Sequence, residues 1–419
     1  MPWDSPHTAL ERFLRYVQID TESDPALAGE RTPTTDKQLD LARVLRDELI
    51  RMGAADVHLD AHGYVYATVP ATVDRDVPTV CFCAHMDTSP DVTGAGVRPQ
   101  VHRNYRGGPI VIDERAGLSI DDVNQPYLAQ MHGHTVVTAS GDTLLGADDK
   151  AGVAAIMDAA EYLLAHRDVP TGRLRLLFTP DEEVGAGVER VDLERLGADY
   201  AYTLDGGEAG TIEGETFSAD AATVTVTGVS AHPGYAKGKL VSALRAAAYL
   251  VTQLPADRHS PESTEGREGF VHLVTMDGSA EAATLRFIVR DFETARLDEQ
   301  FGVLEAAVAK TREAFPRAEL AIDRHEQYRN LGEILRDHPA VMANAREAVR
   351  RVGLEVREGA IRGGTDGSRL SFMGLPTANV FAGMQMIHSR REWVSERDLN
   401  LAAETVVELA RVWAERAAG

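Results

Sequence analysis

Five short polar clusters along the chain carry the residue types that bind metals and move protons. They are Ala84-His85-Met86-Asp87-Thr88, Gly146-Ala147-Asp148-Asp149-Lys150-Ala151-Gly152, Thr179-Pro180-Asp181-Glu182-Glu183-Val184-Gly185, Leu204-Asp205-Gly206-Gly207 and Ile387-His388-Ser389. Together they hold two histidines, several carboxylates and no thiolate, a donor set that suits Zn²⁺, Mn²⁺ or Co²⁺. Two divalent ions side by side need several carboxylates to offset their charge, and one ligand in common. Asp148, Glu183 and Asp205 could supply direct ligands, which leaves Asp87 and Glu182 for other roles. Asp87 stands two residues beyond His85, so on an extended segment both side chains project to the same side. That geometry suits a carboxylate that orients a histidine ligand. Glu182 and Glu183 are adjacent and their side chains diverge, so one can ligate while the other faces the substrate side as a base. Taken singly, each cluster has an ordinary structural explanation. Asp148-Asp149 before a helix is an N-cap, Asp181-Glu182-Glu183 a solvated acidic turn, and Asp205-Gly-Gly a tight turn. Five of them sharing only His, Asp and Glu are harder to dismiss.

The elements that must position these residues follow from periodicity. Apolar residues at helical spacing mark 37–52, where Leu41, Val44, Leu45 and Leu49 form the stripe, with Thr34 or Thr35 as candidate N-cap and Gly53 as stop. A second stripe, Val153, Ile156, Met157, Ala160, Leu163 and Leu164, runs behind Lys150, and further helices fall at 240–254, 296–314, 339–351 and 395–411. Short apolar runs at 79–84, 173–179, 200–204 and 376–381 read as strands. Alternating strands and helices predict an α/β fold with a mostly parallel sheet flanked by helices. In such a sheet ligands bind outside the carboxyl ends of the strands, a position four of the five clusters could occupy, while the Asp148 cluster precedes a helix. From about 221 to 325 the pattern changes to β-α-β-β-α-β, the order of a ferredoxin-like α+β module. It sits inside the α/β pattern and reads as an inserted domain.

Composition narrows the function classes. The chain has 419 residues, 43 Lys+Arg and 65 Asp+Glu, a net charge of −22. That balance argues against nucleic acid or an anionic membrane as partner, since both need a basic surface. The two cysteines, Cys81 and Cys83, are too few for a disulfide scaffold. The first residues carry no basic n-region or apolar h-region, and the most apolar window, at 153–164, is broken by Asp158 and Glu161. A cytoplasmic protein is therefore expected. There is no P-loop and no Gly-x-Ser-x-Gly elbow, and Gly94-Ala95-Gly96 lacks the third glycine of a dinucleotide site.

Read together, His85-Met-Asp87, Gly-Ala-Asp148-Asp-Lys-Ala-Gly, Glu182-Glu183-Val-Gly, Asp205-Gly-Gly and His388 resemble the metallopeptidases of the M20 family. The stretches His232-Pro-Gly-x-Ala-Lys-Gly, Pro261-Glu-x-Thr-Glu-Gly-x-Glu-Gly-Phe, Ile288-Val-Arg290-Asp-Phe and Ile361-Arg-Gly-Gly-Thr-Asp-Gly narrow the resemblance to the peptidase T (tripeptide aminopeptidase) branch. It runs over nearly the whole chain, in order. The resemblance implies two zinc ions, for which Co²⁺ or Mn²⁺ can substitute, held by His85, Asp148, Glu183, Asp205 and His388, with Asp148 bridging. It implies that Asp87 steers His85 and that Glu182 is the general base. Arg290 and Arg362 fall where relatives hold the substrate's carboxylate, and His232 where a lid histidine reaches the reacting oxygen. The implied organisation is a catalytic domain at 1–212 and 326–419 with a lid at 213–325. Relatives dimerise through that lid, so the resemblance implies a homodimer formed there. The implied activity is removal of the N-terminal residue from short peptides, tripeptides by preference. The alternatives are an M20-type amidohydrolase, deacylase or carboxypeptidase, or a catalytically silent metal-binding homologue, against which the presence of Glu182 speaks. One departure stands out. Where the branch has His-Gly-Lys-x-Glu, this chain has His388-Ser389-Arg390-Arg391-Glu392, which keeps charge but gives up glycine's freedom at positive φ and predicts a different local turn.

Overall fold

The structure, a computed structural model, describes residue 3 and residues 5–416. The chain forms two compact units. One comprises the residues up to Gly214, Ile334–Gly359 and those from Thr365 on, and the other Glu215–Glu333 with Ala360–Gly364.

An eight-stranded sheet has the order Ala55–Leu59, Val65–Val69, Leu174–Thr179, Val80–His85, Tyr200–Gly206, Thr377–Phe381, Thr211–Thr216, Arg357–Ile361. The four strands from Leu174–Thr179 to Thr377–Phe381 run parallel. Their neighbours Val65–Val69 and Thr211–Thr216 run antiparallel to them, so the expected parallel sheet is parallel at its centre and mixed overall. Val80–His85, Leu174–Thr179 and Thr377–Phe381 are buried at every position, as strands covered on both faces must be. Helix Ala147–Ala165 packs on the Val80–His85 strand and against helices Ala9–Tyr16 and Glu396–Arg416. Nearly all of its residues are buried, so the apolar stripe read from the sequence covers only part of what the helix hides. Gly152 explains how it fits: a Cβ there would stand 2.0 Å from the Leu204 carbonyl oxygen. Only glycine lets the start of this helix lie directly on the end of the Tyr200–Gly206 strand.

Three neighbouring parallel strands end together, with His85 in register with Thr179. Their carboxyl ends deliver His85, the Asp181-Glu182-Glu183 turn and Asp205 to one edge of the sheet. This is where parallel α/β sheets place ligands.

The second unit has four antiparallel strands in the order Phe270–Gly278, Ala282–Asp291, Ser218–Thr227, Glu319–Tyr328. With helices Ala243–Gln253 and Leu297–Ala314 it follows the β-α-β-β-α-β order expected. Its core gathers Val224, Val226, Leu285, Phe287 and Val289 from the sheet, and Ala246, Leu250, Leu304 and Val308 from the helices. The last strand runs on to Tyr328, beyond residue 325 where the sequence suggested the insert ends. Arg324 to Gln327 are polar with no buried member, so no alternating pattern announces them. Among the described residues no helix is long and apolar enough to cross a membrane.

Candidate active site

His85 closes its strand and is buried. Its Nε2 lies 2.9 Å from Asp148 Oδ1 and 3.8 Å from Asp205 Oδ1. Its Nδ1 faces Asp87, 3.1 Å from the carbonyl oxygen and 3.3 Å from the carboxylate. Burial alone would lower the imidazole's pKa, but Asp148 and Asp87 outweigh it and hold the group well above the usual histidine range. On the other side of Asp148, His388 Nε2 lies 3.3 Å from Asp148 Oδ2 and 2.9 Å from Glu183 Oε2. Two groups result, His85–Asp148–Asp205 and Asp148–Glu183–His388, each with its ligand atoms within 4.8 Å of one another. Asp148 belongs to both.

The donors fit divalent cations on grounds independent of their types. Glu183 Oε1 is buried without a hydrogen-bond partner. Burial, with Asp148 nearby, pushes the Glu183 carboxyl up to about 7, and burial, with Asp148 and Asp149, pushes Asp205 well above the carboxylate range. An orphaned oxygen among mutually repelling buried carboxylates is the condition a cation relieves.

The profile of peptidase family M20/M25/M40 matches residues 144–412. The peptidase T of Geobacillus kaustophilus is 42% identical over 408 residues, 97% of this chain and 98% of that protein. The peptidase T of Lysinibacillus sphaericus is 44% identical over 408 residues, again 97% of this chain and 98% of that protein. The chain belongs to peptidase family M20, in its peptidase T branch. It is a peptidase. Among solved structures, aminopeptidase PepT of Bacillus cereus superposes with a TM-score of 0.72 at 24% identity, covering 97% of this chain and 98% of that one. The YXEP protein of Bacillus subtilis, a dinuclear metal-binding peptidase of the M20 family, does so with a TM-score of 0.64 at 16% identity, covering 97% and 98%. At such identities both likenesses speak to the fold.

Each member of the cluster is held by partners distant in sequence. The Asp87 carboxylate accepts the backbone N–H groups of Glu182 at 3.0 Å and Glu183 at 3.2 Å, so one residue faces both His85 and the diglutamate turn. Glu183 enters a ligand group and Glu182 enters neither. Burial pushes the Glu182 carboxyl well up, against the pull of His85, and Asp205, Asp366 and Glu183 add to it. The two aspartates of the Asp148 cluster divide their work. Asp149 Oδ1 accepts the Gly152 N–H at 3.1 Å, the helix-capping role expected of such a pair, and Asp148 is left for the cluster. Asp205 is fixed by Asn379, which accepts its N–H and donates to its carbonyl oxygen, both at 3.2 Å.

The loop that carries Asp148 is held by a residue far along the chain. Buried Glu392 accepts the N–H groups of Leu145 at 2.7 Å, Gly146 at 2.8 Å and Asp148 at 3.0 Å. Its glutamate is visible in the His388–Glu392 stretch, but a bond across 244 residues leaves no local pattern. The left-handed residues of the turn around His388 are Met386, at φ 49°, and His388, at φ 57°, and Ser389 is not among them. Its hydroxyl donates to the Met386 carbonyl oxygen at 2.6 Å and accepts the Arg391 N–H at 3.1 Å, so the serine bonds within the turn. The helix N-cap expected at Thr34 or Thr35 is absent, because Thr34 bonds Asp181 and Thr35 bonds the Glu22 carbonyl oxygen.

His232, Arg290 and Arg362 belong to the second unit. His232 is exposed, and its Nδ1 accepts the Gly234 N–H at 3.2 Å. Arg290 is 9% exposed, lies over the Tyr328 ring at 5.3 Å, and donates to the carbonyl oxygens of Asp220 and Val289. Arg362 donates to the carbonyl oxygens of Thr264, Gly266 and Glu268 and to the Thr264 hydroxyl, and stacks on Phe217. That guanidinium organises the 264–268 loop.

Proposed function

We propose that this peptidase is a two-metal aminopeptidase that removes the N-terminal residue of short peptides, with tripeptides preferred. The observation that carries the proposal is the pair of ligand groups that share Asp148. Two adjacent cations need one ligand in common, and a carboxylate with an imidazole against each oxygen is built to be that ligand. His85, Asp148 and Asp205 would hold one ion, and Asp148, Glu183 and His388 the other, zinc being the metal that best suits imidazole and carboxylate. Bound there, a pair of divalent ions supplies Lewis acidity to a scissile carbonyl and lowers the pKa of a water.

The rest is assigned to the chain's own side chains. Glu182, beside the ligands but not among them, takes the proton of the attacking water on its carboxylate and returns it to the leaving amine. Asp87 keeps the His85 ring and the Glu182-Glu183 turn in one frame. In the second unit, Arg290 is assigned to the substrate's carboxylate and His232 to the reacting oxygen. Short-peptide preference is supported by the relatives named peptidase T. The proposal extends to a cytoplasmic location, and to dimerisation through the second unit.

The test is hydrolysis of matched di-, tri- and tetrapeptides and of an N-acyl amino acid, with products identified. Release of the first residue from tripeptides in preference to the others supports the proposal. Preferred cleavage of the N-acyl amino acid, or release of the last residue, would overturn it.

A further inference from the structure

The turn that presents Glu182 is fixed from the amino-terminal part of the chain, by two residues no motif points to. Asp181, immediately before Glu182, has φ 59° and ψ 22°, the left-handed conformation that non-glycine residues seldom adopt. The bend sends the chain from the Leu174–Thr179 strand into the Glu182–Val184 turn. Aspartate tolerates this conformation better than most residues, but its own preference does not select it over extended backbone.

What selects it is a buried clamp. The Asp181 carboxylate accepts the Thr34 N–H at 2.8 and 3.0 Å, the Thr34 hydroxyl at 2.5 Å and the Gln38 side-chain amide at 2.6 Å. The same Gln38 amide accepts the Asp181 backbone N–H at 3.1 Å through its oxygen. Gln38 thus grips Asp181 at side chain and backbone together, which ties the carboxylate's direction to the backbone torsion. Gln38 is fully buried, Thr34 is 1% exposed and Asp181 is fully buried. None of the three belongs to the ligand groups, so the arrangement is not explained by metal binding. Directly after the bend the Glu182 and Glu183 N–H groups are held by Asp87. The backbone around Glu182 is therefore held at Asp181 and again at its own N–H.

We infer that Gln38 and Thr34 are positioning residues for Glu182, acting through the left-handed Asp181. This rests on the assignment of Glu182 as base. A base misplaced by about 1 Å can cost as much as 10²-fold in rate, so loss of the grip should lower kcat while leaving KM and metal content unchanged. Gln38→Met keeps length and burial but removes both contacts to Asp181, with the longer ones to the Thr34 and Thr35 hydroxyls, and a loss in kcat of about tenfold or more is expected. Thr34→Val removes only the hydroxyl and should cost less, and Thr34→Ser should restore it.

A structural role alone would lower the melting temperature and leave the folded enzyme's kcat intact. The decisive experiment is a double-mutant cycle with Glu182→Gln, with metal content and melting temperature measured on each protein. If Gln38 acts through Glu182, Gln38→Met costs tenfold in the wild type and close to nothing in the Glu182→Gln background. An equal loss in both backgrounds, or a drop in metal content that accounts for the loss, overturns the inference while leaving the base assignment intact. Should Glu182→Gln itself keep near-normal kcat, the base assignment fails, and the inference with it. If Gln38→Met does not fold, the same cycle run with Thr34→Val decides the question.

Discussion

Replacing Glu392 by glutamine tests whether the Asp148 loop is held from a distance. One carboxylate oxygen serves the Leu145 and Gly146 N–H groups, and the other serves that of Asp148. An amide can turn its oxygen to the first pair, but its NH₂ then faces the Asp148 N–H. One charge-assisted hydrogen bond is lost and one buried donor is stranded, a cost of about 2–3 kcal/mol. Glu392→Ala strands three donors, at about 5 kcal/mol or more. The lost N–H belongs to the residue common to both ligand groups, so metal affinity should also fall, by roughly 10–100-fold. Burial pushes the Glu392 carboxyl up to about 7, so the comparison belongs at about pH 8, where the wild-type group is ionised. Urea unfolding of the metal-free proteins reads the first effect, and competition with a chromogenic chelator reads the second. A Glu392→Gln protein within about 0.5 kcal/mol of wild type, with unchanged metal affinity, would refute the proposed support.

Three further outcomes are expected. Glu182→Gln should retain its metals and lose roughly 10²–10⁴ in kcat, whereas Glu183→Gln should lose metal and partly recover in excess Zn²⁺ or Co²⁺; metal content and kcat measured side by side would show the reverse if the assignments were exchanged. Gly152→Ala should fail to fold or lose several kcal/mol by urea denaturation, because its Cβ would meet the Leu204 carbonyl oxygen at 2.0 Å; a stable, active variant would mean that the helix can withdraw from the strand. Burial would lower the pKa of His7, but Asp158 at 2.8 Å and Glu404 at 3.3 Å outweigh it and raise the group from 6.5 to about 9. The folded state therefore holds this proton more tightly than the unfolded one, and stability present below about pH 6.5 is lost as pH rises through about 9. His7→Gln should cost more at pH 6 than at pH 10, with solvent screening of the half-buried pair holding the difference to about 1–2 kcal/mol, read as the difference between two urea titrations; an equal cost at both would remove the charge from the explanation.

The parallel strands and most of the helices were legible because their signals are local. Helix Gln38–Met52 shows its stripe and stops at Gly53, which takes the left-handed φ of 82° that the stop implied. The strand expected at 79–84 is Val80–His85, a run of apolar residues ended by a polar one. The antiparallel neighbours carry weaker signals. Ala55–Leu59 is partly exposed and mixes His58 and Asp56 among its apolar residues. Val65–Val69 follows a turn rich in Asp, His and Gly. Thr211–Thr216 and Arg357–Ile361 carry Gly214 and Gly359, which blur any alternation.

In the site, the types and order of His85, Asp148, Glu183, Asp205 and His388 stood out because each lies where a strand ends, in a turn or at the start of a helix. Spacing could not say which of Glu182 and Glu183 faces the histidines, nor that Asp149 rather than Asp148 caps the helix. The partners of Glu392, Asn379, Gln38 and Thr34 were not legible, for a different reason. Each bonds its target across 143 residues or more, and a bond of that span leaves no local pattern.

Metal content per chain, measured by atomic emission on protein whose peptidase activity is assayed in the same tube, tests the shared Asp148 most directly. Two divalent ions per chain are expected, with activity falling as a chelator removes them. Full activity with one ion or none would contradict the two-metal site.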